Sequence, residues 1–264
     1  VKTPDEVIDE ILASRKYREL GIPPETVRDL LARELAAGHS QKEAAKAVRQ
    51  KLHNIMAPYL GDPDYDAAAR RFDEAKGDPA ATRAVCADLL AQHASTHERL
   101  PLLEDFYATI FEVTGIPRSV LDLACALNPF ALPWMGLPAG VQYHAYDIHA
   151  PRVALINHFF ALQGLEPLAE VRDILVSPPD LPADAAFFFK EAHRFEQRQK
   201  GSTRQFLAAL RARWLVVTLP ASSLTGRHNL AEGHRRLMHN AVPGREMIER
   251  QVGEELIFII ENLL

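Results

Sequence analysis

Three aspartates stand where a strand-end ligand site would need them. Asp122 lies in Leu121-Asp122-Leu123-Ala124-Cys125-Ala126-Leu127-Asn128-Pro129, Asp147 in Tyr146-Asp147-Ile148-His149, and Asp173 in Arg172-Asp173-Ile174-Leu175. An ionised carboxylate only accepts hydrogen bonds. At the end of a second strand it suits the two hydroxyls of a ribose, and at the end of a third it suits an adenine amino group. A lone aspartate there is also an ordinary helix cap or turn residue. Three at successive strand ends, in this order, point to a nucleoside-type site. The first loop carries no glycine, although such loops bring backbone close to a ligand. Ala126 fits there if its φ is negative, leaving a methyl group beside the ligand. The chain has no G-x-G-x-x-G, which argues against a dinucleotide oxidoreductase.

The elements that must hold these acids are legible in outline. From Gly115-Ile116-Pro117 onward, short apolar runs (119–125, 141–146, 170–176, 185–190, 214–219 and 255–261) alternate with helical stretches such as 152–162 and 203–213. That alternation predicts a doubly wound α/β sheet with parallel strands. Residues 246–251, Val252-Gly253-Glu254 and 255–261 read instead as a C-terminal antiparallel hairpin. Before the sheet, the first 60 residues read as three short helices. One opens at Pro4-Asp5-Glu6, one follows Gly21-Ile22-Pro23-Pro24, and one starts at Ser40 with Glu43 completing a capping box. Their apolar stripes make a thin core that needs another surface to lean on. The segment from Thr82 to about Phe111 reads as further helix.

Composition sets the bounds. The 264 residues are 47% hydrophobic and 25% charged, an ordinary globular balance for one or two domains. The two cysteines, Cys86 and Cys125, have no C-x-x-C partner, which suits a reduced compartment. No apolar run approaches the roughly 18 residues that span a bilayer, and no leader peptide is visible at the start. A cytoplasmic protein without a membrane partner is therefore expected. The net charge of −5 does not advertise a nucleic-acid surface. Yet residues 15–56 hold nine Lys/Arg against five Asp/Glu, a local excess of positive charge. His93 and His97 sit at zinc-ligand spacing, but H-E-x-x-H is missing and no third ligand is evident. Ser222-Ser223 lacks a nucleophile elbow.

Several segments resemble the aminoglycoside-resistance 16S rRNA (guanine-N7) methyltransferases of the Arm/Rmt/Sgm group. They are Ile11–Arg18, Lys51-Leu52-His53, His93-Ala94-Ser95-Thr96-His97-Glu98-Arg99, Leu121–Pro129 and Tyr146–His149, in order along nearly the whole chain. The resemblance implies a Rossmann-like class I S-adenosylmethionine (SAM) methyltransferase fold. It makes residues 81–264 the SAM-dependent domain and 1–80 a helical rRNA-docking domain with its linker. It also implies methylation of N7 of guanine 1405 in the small (30S) ribosomal subunit, aminoglycoside resistance as the consequence, and a monomer.

Carried over position by position, the resemblance gives SAM a set of partners. Arg99 would pair with its carboxylate, and His93, Ala94 and Ser95 would line its methionine end. Asp147 would hold the ribose, and Asp173 with the backbone of Ile174 the adenine. Ala126 stands where the family has glycine, and Gln199 and Tyr59 match family residues near the cofactor. Arg15, Lys16, Arg18, Arg28, Lys51 and Arg227 are the candidate RNA contacts. No catalytic acid or base and no metal is expected, because guanine N7 offers a lone pair and carries no proton. The chain departs from the family after Lys190, where an apolar run becomes Glu191-Ala192-His193-Arg194-Phe195, and across Ser222-Ser223-Leu224 and 227–232. These departures leave open another RNA position as target, or a non-catalytic ribosome-binding relative.

Overall fold

The computed structural model describes residues 2–56, 63–223 and 229–262, so Tyr59 and Arg227 lie outside the described residues. The chain opens with α1 (Pro4–Leu12), α2 (Pro24–Ala36) and α3 (Gln41–Met56). The expected box starts α3: the Ser40 N–H donates to Glu43 Oε2 at 3.0 Å and the Glu43 N–H to Ser40 Oγ at 3.4 Å. The three helices close on a core of their own that includes Ile11, Val27, Leu31, Val48 and Leu52.

The next helix, α4 (Tyr65–Glu74), belongs elsewhere. Its Phe72 lies 5.6 Å from the Phe130 ring and 5.0 Å from Phe159, inside the core that covers the sheet. Among the described residues the helices' own core reaches Met56, and α4, expected to lie before the boundary near residue 80, packs with the sheet. The long helix expected from Thr82 is likewise broken into α5 (Pro79–Gln92), α6 (Ala94–His97) and α7 (Leu103–Thr114). His93 breaks it first with an extended backbone (φ −113°, ψ 126°), and a 3₁₀ turn over Leu100–Leu102 breaks it again at Pro101.

The sheet is the expected doubly wound α/β type. Its strands are β1 (Ser119–Leu123), β2 (Gln142–Asp147), β3 (Ala169–Val171), β4 (Ala183–Phe189), β5 (Ala212–Pro220), β6 (Ile248–Val252) and β7 (Glu255–Glu261), in the order β3-β2-β1-β4-β5-β7-β6. The first five run parallel, and β7 and β6 return as the antiparallel hairpin. Side chains alternate across it with period two. Val120, Phe187, Val216 and Ile257 face α5, α7 and, after the short α8 (Leu132–Met135), α9 (Ala150–Leu162). Leu121, Phe188, Val217 and Phe258 face α10 (Ala192–Arg198), α11 (Ser202–Ala209) and α12 (Ala231–Ala241). The run expected to be a strand through residue 176 stops at Val171. Asp173 then closes a turn, accepting the Leu175 N–H on its carboxylate at 3.1 Å and the Ser177 N–H on its carbonyl at 2.8 Å.

The helical unit leans on the carboxyl end of β2. Ile148 packs against its core, and the Ala150 N–H donates to the Leu20 carbonyl at 3.1 Å. Gly21 makes this approach possible: its φ is +58°, and a Cβ built on it would sit 2.4 Å from that of Ala150. Gly21→Ala should cost at least about 2 kcal/mol, since a left-handed alanine and an overpacked contact each carry a penalty. Urea unfolding measures it, and a wild-type midpoint would show that the two units do not meet there.

Candidate functional site

A cavity of about 530 Å³ opens at the carboxyl ends of the parallel strands, where ligands of such sheets bind. Its walls come from both units. Leu30, Lys51, Asn54 and Ile55 face it from α2 and α3, and Ala124, Asp147, Ile148, Asp173, Ile174, Glu191 and Arg198 from the sheet side. Of the residues singled out from the sequence, Asp147, Asp173, Ile174 and Lys51 line this cavity. Ala94 opens α6. His93, Ser95, Arg99, Ala126 and Gln199 do not line it.

Asp147 is 2% exposed and held on three sides. Its Oδ1 accepts the His149 N–H at 2.9 Å, and its Oδ2 accepts the Ala126 N–H at 3.0 Å and Arg152 at 3.1 Å. Arg152 is fully buried. A carboxylate has about four acceptor positions, so Asp147 retains capacity for a hydroxyl. The loop before it is more strained than expected. Ala126 has φ +47° rather than a negative φ, and Ala124 has φ +51°. Left-handed alanine costs roughly 1–2 kcal/mol. The turn is held by Asp147 and by the Cys125 N–H donating to the Tyr146 carbonyl at 2.9 Å.

Asp173 is not the open acceptor expected for an adenine amino group. Arg198 grips it from both sides, at 3.0 Å on Oδ1 and 2.6 Å on Oδ2. The Leu175 N–H fills the remaining position on Oδ1, and the Thr26 hydroxyl of α2 donates to Oδ2 at 2.9 Å. Four donors fill four positions. The carboxylate is spent on joining α2, α10 and the turn after β3.

Arg99 also finds a partner within the protein. It is 4% exposed; Nη2 and Nε donate to the Glu255 carboxylate at 2.5 and 3.1 Å, and Nη1 donates to Asn128 Oδ1 at 3.0 Å. Its guanidinium lies 4.2 Å from the Phe106 ring centre and 4.8 Å from Phe189. Burial would push the Glu255 carboxyl up, but Arg99 and Lys190 hold it below the ordinary range. Arg99, expected to pair with a cofactor carboxylate, is thus also held in an internal ion pair. Asn128 carries the network onward, accepting from Tyr107 at 2.8 Å and donating to Asp122 at 3.0 Å. Asp122 is 1% exposed and is pushed up to about 7 by burial, which the hydrogen bonds from Asn128 and Tyr143 only partly oppose.

Other expected residues fall at the edges. His93 Nδ1 and Ser95 Oγ hydrogen-bond each other at 2.7 Å. Gln199 ends α10, and it is Gln197 that faces the cavity. Lys51 lines the cavity and pairs with Glu34, and its side chain stays exposed. Arg28 pairs with Asp5 at 3.3 Å, while Arg15, Lys16 and Arg18 stand exposed on the turn after α1. Sequence reasoning missed Glu255, Lys190, Arg152 and Arg198. The signal for the first two was a charge at the tip of an otherwise apolar strand. The antiparallel return of β7 brings Glu255 opposite Pro220, to the same sheet end as Lys190.

The comparisons agree with this architecture. The ribosomal RNA methyltransferase (FmrO) family profile matches residues 13–246. The chain belongs to that family. The 16S rRNA (guanine(1405)-N(7))-methyltransferase of Micromonospora echinospora is 33% identical over 98% of this chain and 96% of its own. The enzyme of the same name from Frankia casuarinae is 36% identical over 84% of this chain and 80% of its own. The crystal structure of 16S rRNA methyltransferase RmtF in complex with S-adenosyl-L-homocysteine superposes with a TM-score of 0.79 at 31% identity, covering 99% of this chain and 98% of that one.

Two substitutions separate the structural roles from ligand contacts. Arg99→Met should lower stability by about 3–5 kcal/mol, because it strands a buried carboxylate, and adding Glu255→Leu should restore much of the loss. A residue that served only a cofactor would leave the thermal midpoint of the ligand-free protein unchanged. Ala126→Gly should raise stability by about 1 kcal/mol in urea, since it relieves a left-handed alanine.

Proposed function

We propose that the protein transfers the methyl group of SAM to N7 of guanine 1405 in 16S rRNA of the small ribosomal subunit. The observation that carries this reading is the end-to-end likeness to enzymes named for that reaction, 33% identity over 98% of the chain, in a chain whose sheet opens a nucleoside-sized cavity at its ligand end. The residues present fit SAM in part. Asp147 offers an acceptor to the ribose and Ile174 an apolar wall to the adenine, whereas Asp173 has no acceptor to spare.

When bound, SAM supplies an electrophilic methyl group. The protein's part is to hold and align the partners, which suffices for a nucleophile that carries no proton. The rigid frame for that alignment is the Arg99–Glu255–Lys190 cluster at the tips of β4 and β7. The exposed Arg15, Lys16 and Arg18 are the RNA-facing cations of the helical unit, suited to phosphate contacts. Methylation would remove an acceptor from the base and leave a positive charge, which disfavours polycationic aminoglycosides. A second reading, another guanine as target, is favoured by one feature: the charged Glu191 and Arg194 occupy the cavity wall, in the segment where the chain departs from the family it resembles.

Primer extension and mass spectrometry of 16S rRNA from cells expressing the protein test the reading. The expected result is N7 methylation at guanine 1405. Substituting Arg15, Lys16 and Arg18 together by alanine should reduce that modification at least tenfold and leave SAM affinity intact. An unmodified guanine 1405 beside methylation elsewhere in the rRNA would transfer the assignment to the second reading.

A further inference from the structure

Lys190 and Glu191 are adjacent at the end of β4 and point apart. Lys190 has φ +58°, a left-handed conformation that costs a side-chain-bearing residue roughly 1–2 kcal/mol. The turn is held because the Lys190 N–H donates to the Thr218 carbonyl at 2.8 Å. Its ammonium donates to Glu98 at 2.9 Å and lies 3.4 Å from Glu255. The lysine is thereby used up outside the cavity, and the strained turn delivers the next side chain, Glu191, into it.

Glu191 has one cation within ion-pair distance among the described residues. Arg194, one turn along α10, lies 3.1 Å away but is itself 44% exposed, so its attraction is screened. Arg198 is committed to Asp173, and Lys51 of α3 is committed to Glu34. Arg172, at the end of β3, pairs with Glu170 at 2.6 Å. Across the cavity stands Asp147, a second acid. Burial pushes the Glu191 carboxyl up to about 7; Arg194 pulls against this and Asp147 adds to it. A carboxyl so placed is compensated by one half-exposed arginine, and the cavity it faces is the proposed seat of a ligand that brings a second cation. In SAM the sulfonium is joined to the ribose through a single methylene, so holding the ribose at Asp147 carries that positive charge to the same part of the cavity. S-adenosylhomocysteine has the same groups with a neutral sulfur.

We infer that Glu191 is the counter-charge for the cofactor's sulfonium, the side chain by which the cavity tells S-adenosylmethionine from its demethylated product. The inference rests on the cofactor assignment above and is independent of the RNA target. Once the methyl leaves, the cavity holds an acid facing a neutral thioether, and the product loses the interaction that retained the substrate.

The test is calorimetric titration of wild type and Glu191→Gln with SAM and, separately, with S-adenosylhomocysteine. The variant should bind SAM about tenfold more weakly and change less than twofold toward S-adenosylhomocysteine. A thermal midpoint near that of wild type establishes that it is folded. A second measurement uses the pH. A sulfonium favours ionised Glu191, so SAM binding releases a proton below about pH 7, and wild-type affinity should rise from pH 6 to 8. That rise should flatten in Glu191→Gln; titration of the cofactor's own amino group is common to both proteins and cancels in the comparison. Equal effects on both ligands, or the same pH slope in both proteins, overturn the inference. So does a variant that loses rRNA methylation while keeping the wild-type ratio of affinities, since Glu191 then acts on the target base. A wild-type protein that binds neither ligand overturns the inference and the cofactor assignment together.

Discussion

A guanidinium that is 4% exposed cannot stand without a counter-charge, and Arg99 finds one 156 residues away on the last strand. Much of the ligand end of the sheet hangs on that pair. Glu255 reaches it because β7 runs antiparallel to β5 and starts beside its carboxyl end. Asn128 reaches it from the loop after β1, and Phe106 and Phe189 close over the guanidinium from α7 and β4. Lys190 completes the cluster with a second positive charge. A buried ion pair of this kind adds little net stability compared with apolar packing, because desolvation offsets most of its attraction. What it does enforce is register, since a shift in any of these elements would leave a charge buried alone.

The helical unit is fixed by a second carboxylate. Asp173 binds Thr26 on α2 and Arg198 on α10 at once, so the unit that faces the RNA in the proposed function and the helix that walls the cavity share one anchor. Lys51, Asn54 and Ile55 then form a wall of the cavity itself. The three helices had too small a core to stand alone, and the surface they lean on proves to be the end of β2 and the turn after β3. A helical unit that supplies a wall of the cavity would, in the proposed function, make cofactor affinity sensitive to its own contacts.

The order of elements was readable because hydrophobic periodicity reports it directly. The alternation after residue 115, the terminal hairpin and the Ser40–Glu43 box all appear in the structure. Local errors arose where one residue outweighed the pattern: Pro101 and an extended His93 in an otherwise helical stretch, and Asp173 turning the chain where an apolar run suggested strand. The site was legible in type but not in assignment. Asp122, Asp147 and Asp173 do fall at or just beyond the carboxyl ends of successive strands, yet their surroundings give them three different tasks. Asp122 is sunk in a hydrogen-bond network, Asp147 keeps an acceptor facing the cavity, and Asp173 is filled from within. Sequence spacing shows where an acid falls along the chain, and it carries no information on which distant donor will claim it. Arg198 is 25 residues from Asp173 and Thr26 is 147 away, so neither could be inferred from local pattern.

Position alone also misjudged Ala126. A negative φ seemed required because left-handed alanine is costly, but the cost is local and the constraint is not. The Asp147 carboxylate is held by Arg152, which is fully buried, and the Ala126 N–H is drawn onto it. Breaking that hydrogen bond to relax the backbone would leave a buried carboxylate short of a donor, a penalty comparable to or larger than the strain. Glycine would give the same geometry without strain, so the geometry is imposed by the acid rather than chosen by the loop. The backbone shape beside the cavity therefore follows from charge burial at Asp147, just as the inward turn of Glu191 follows from the commitments of Lys190.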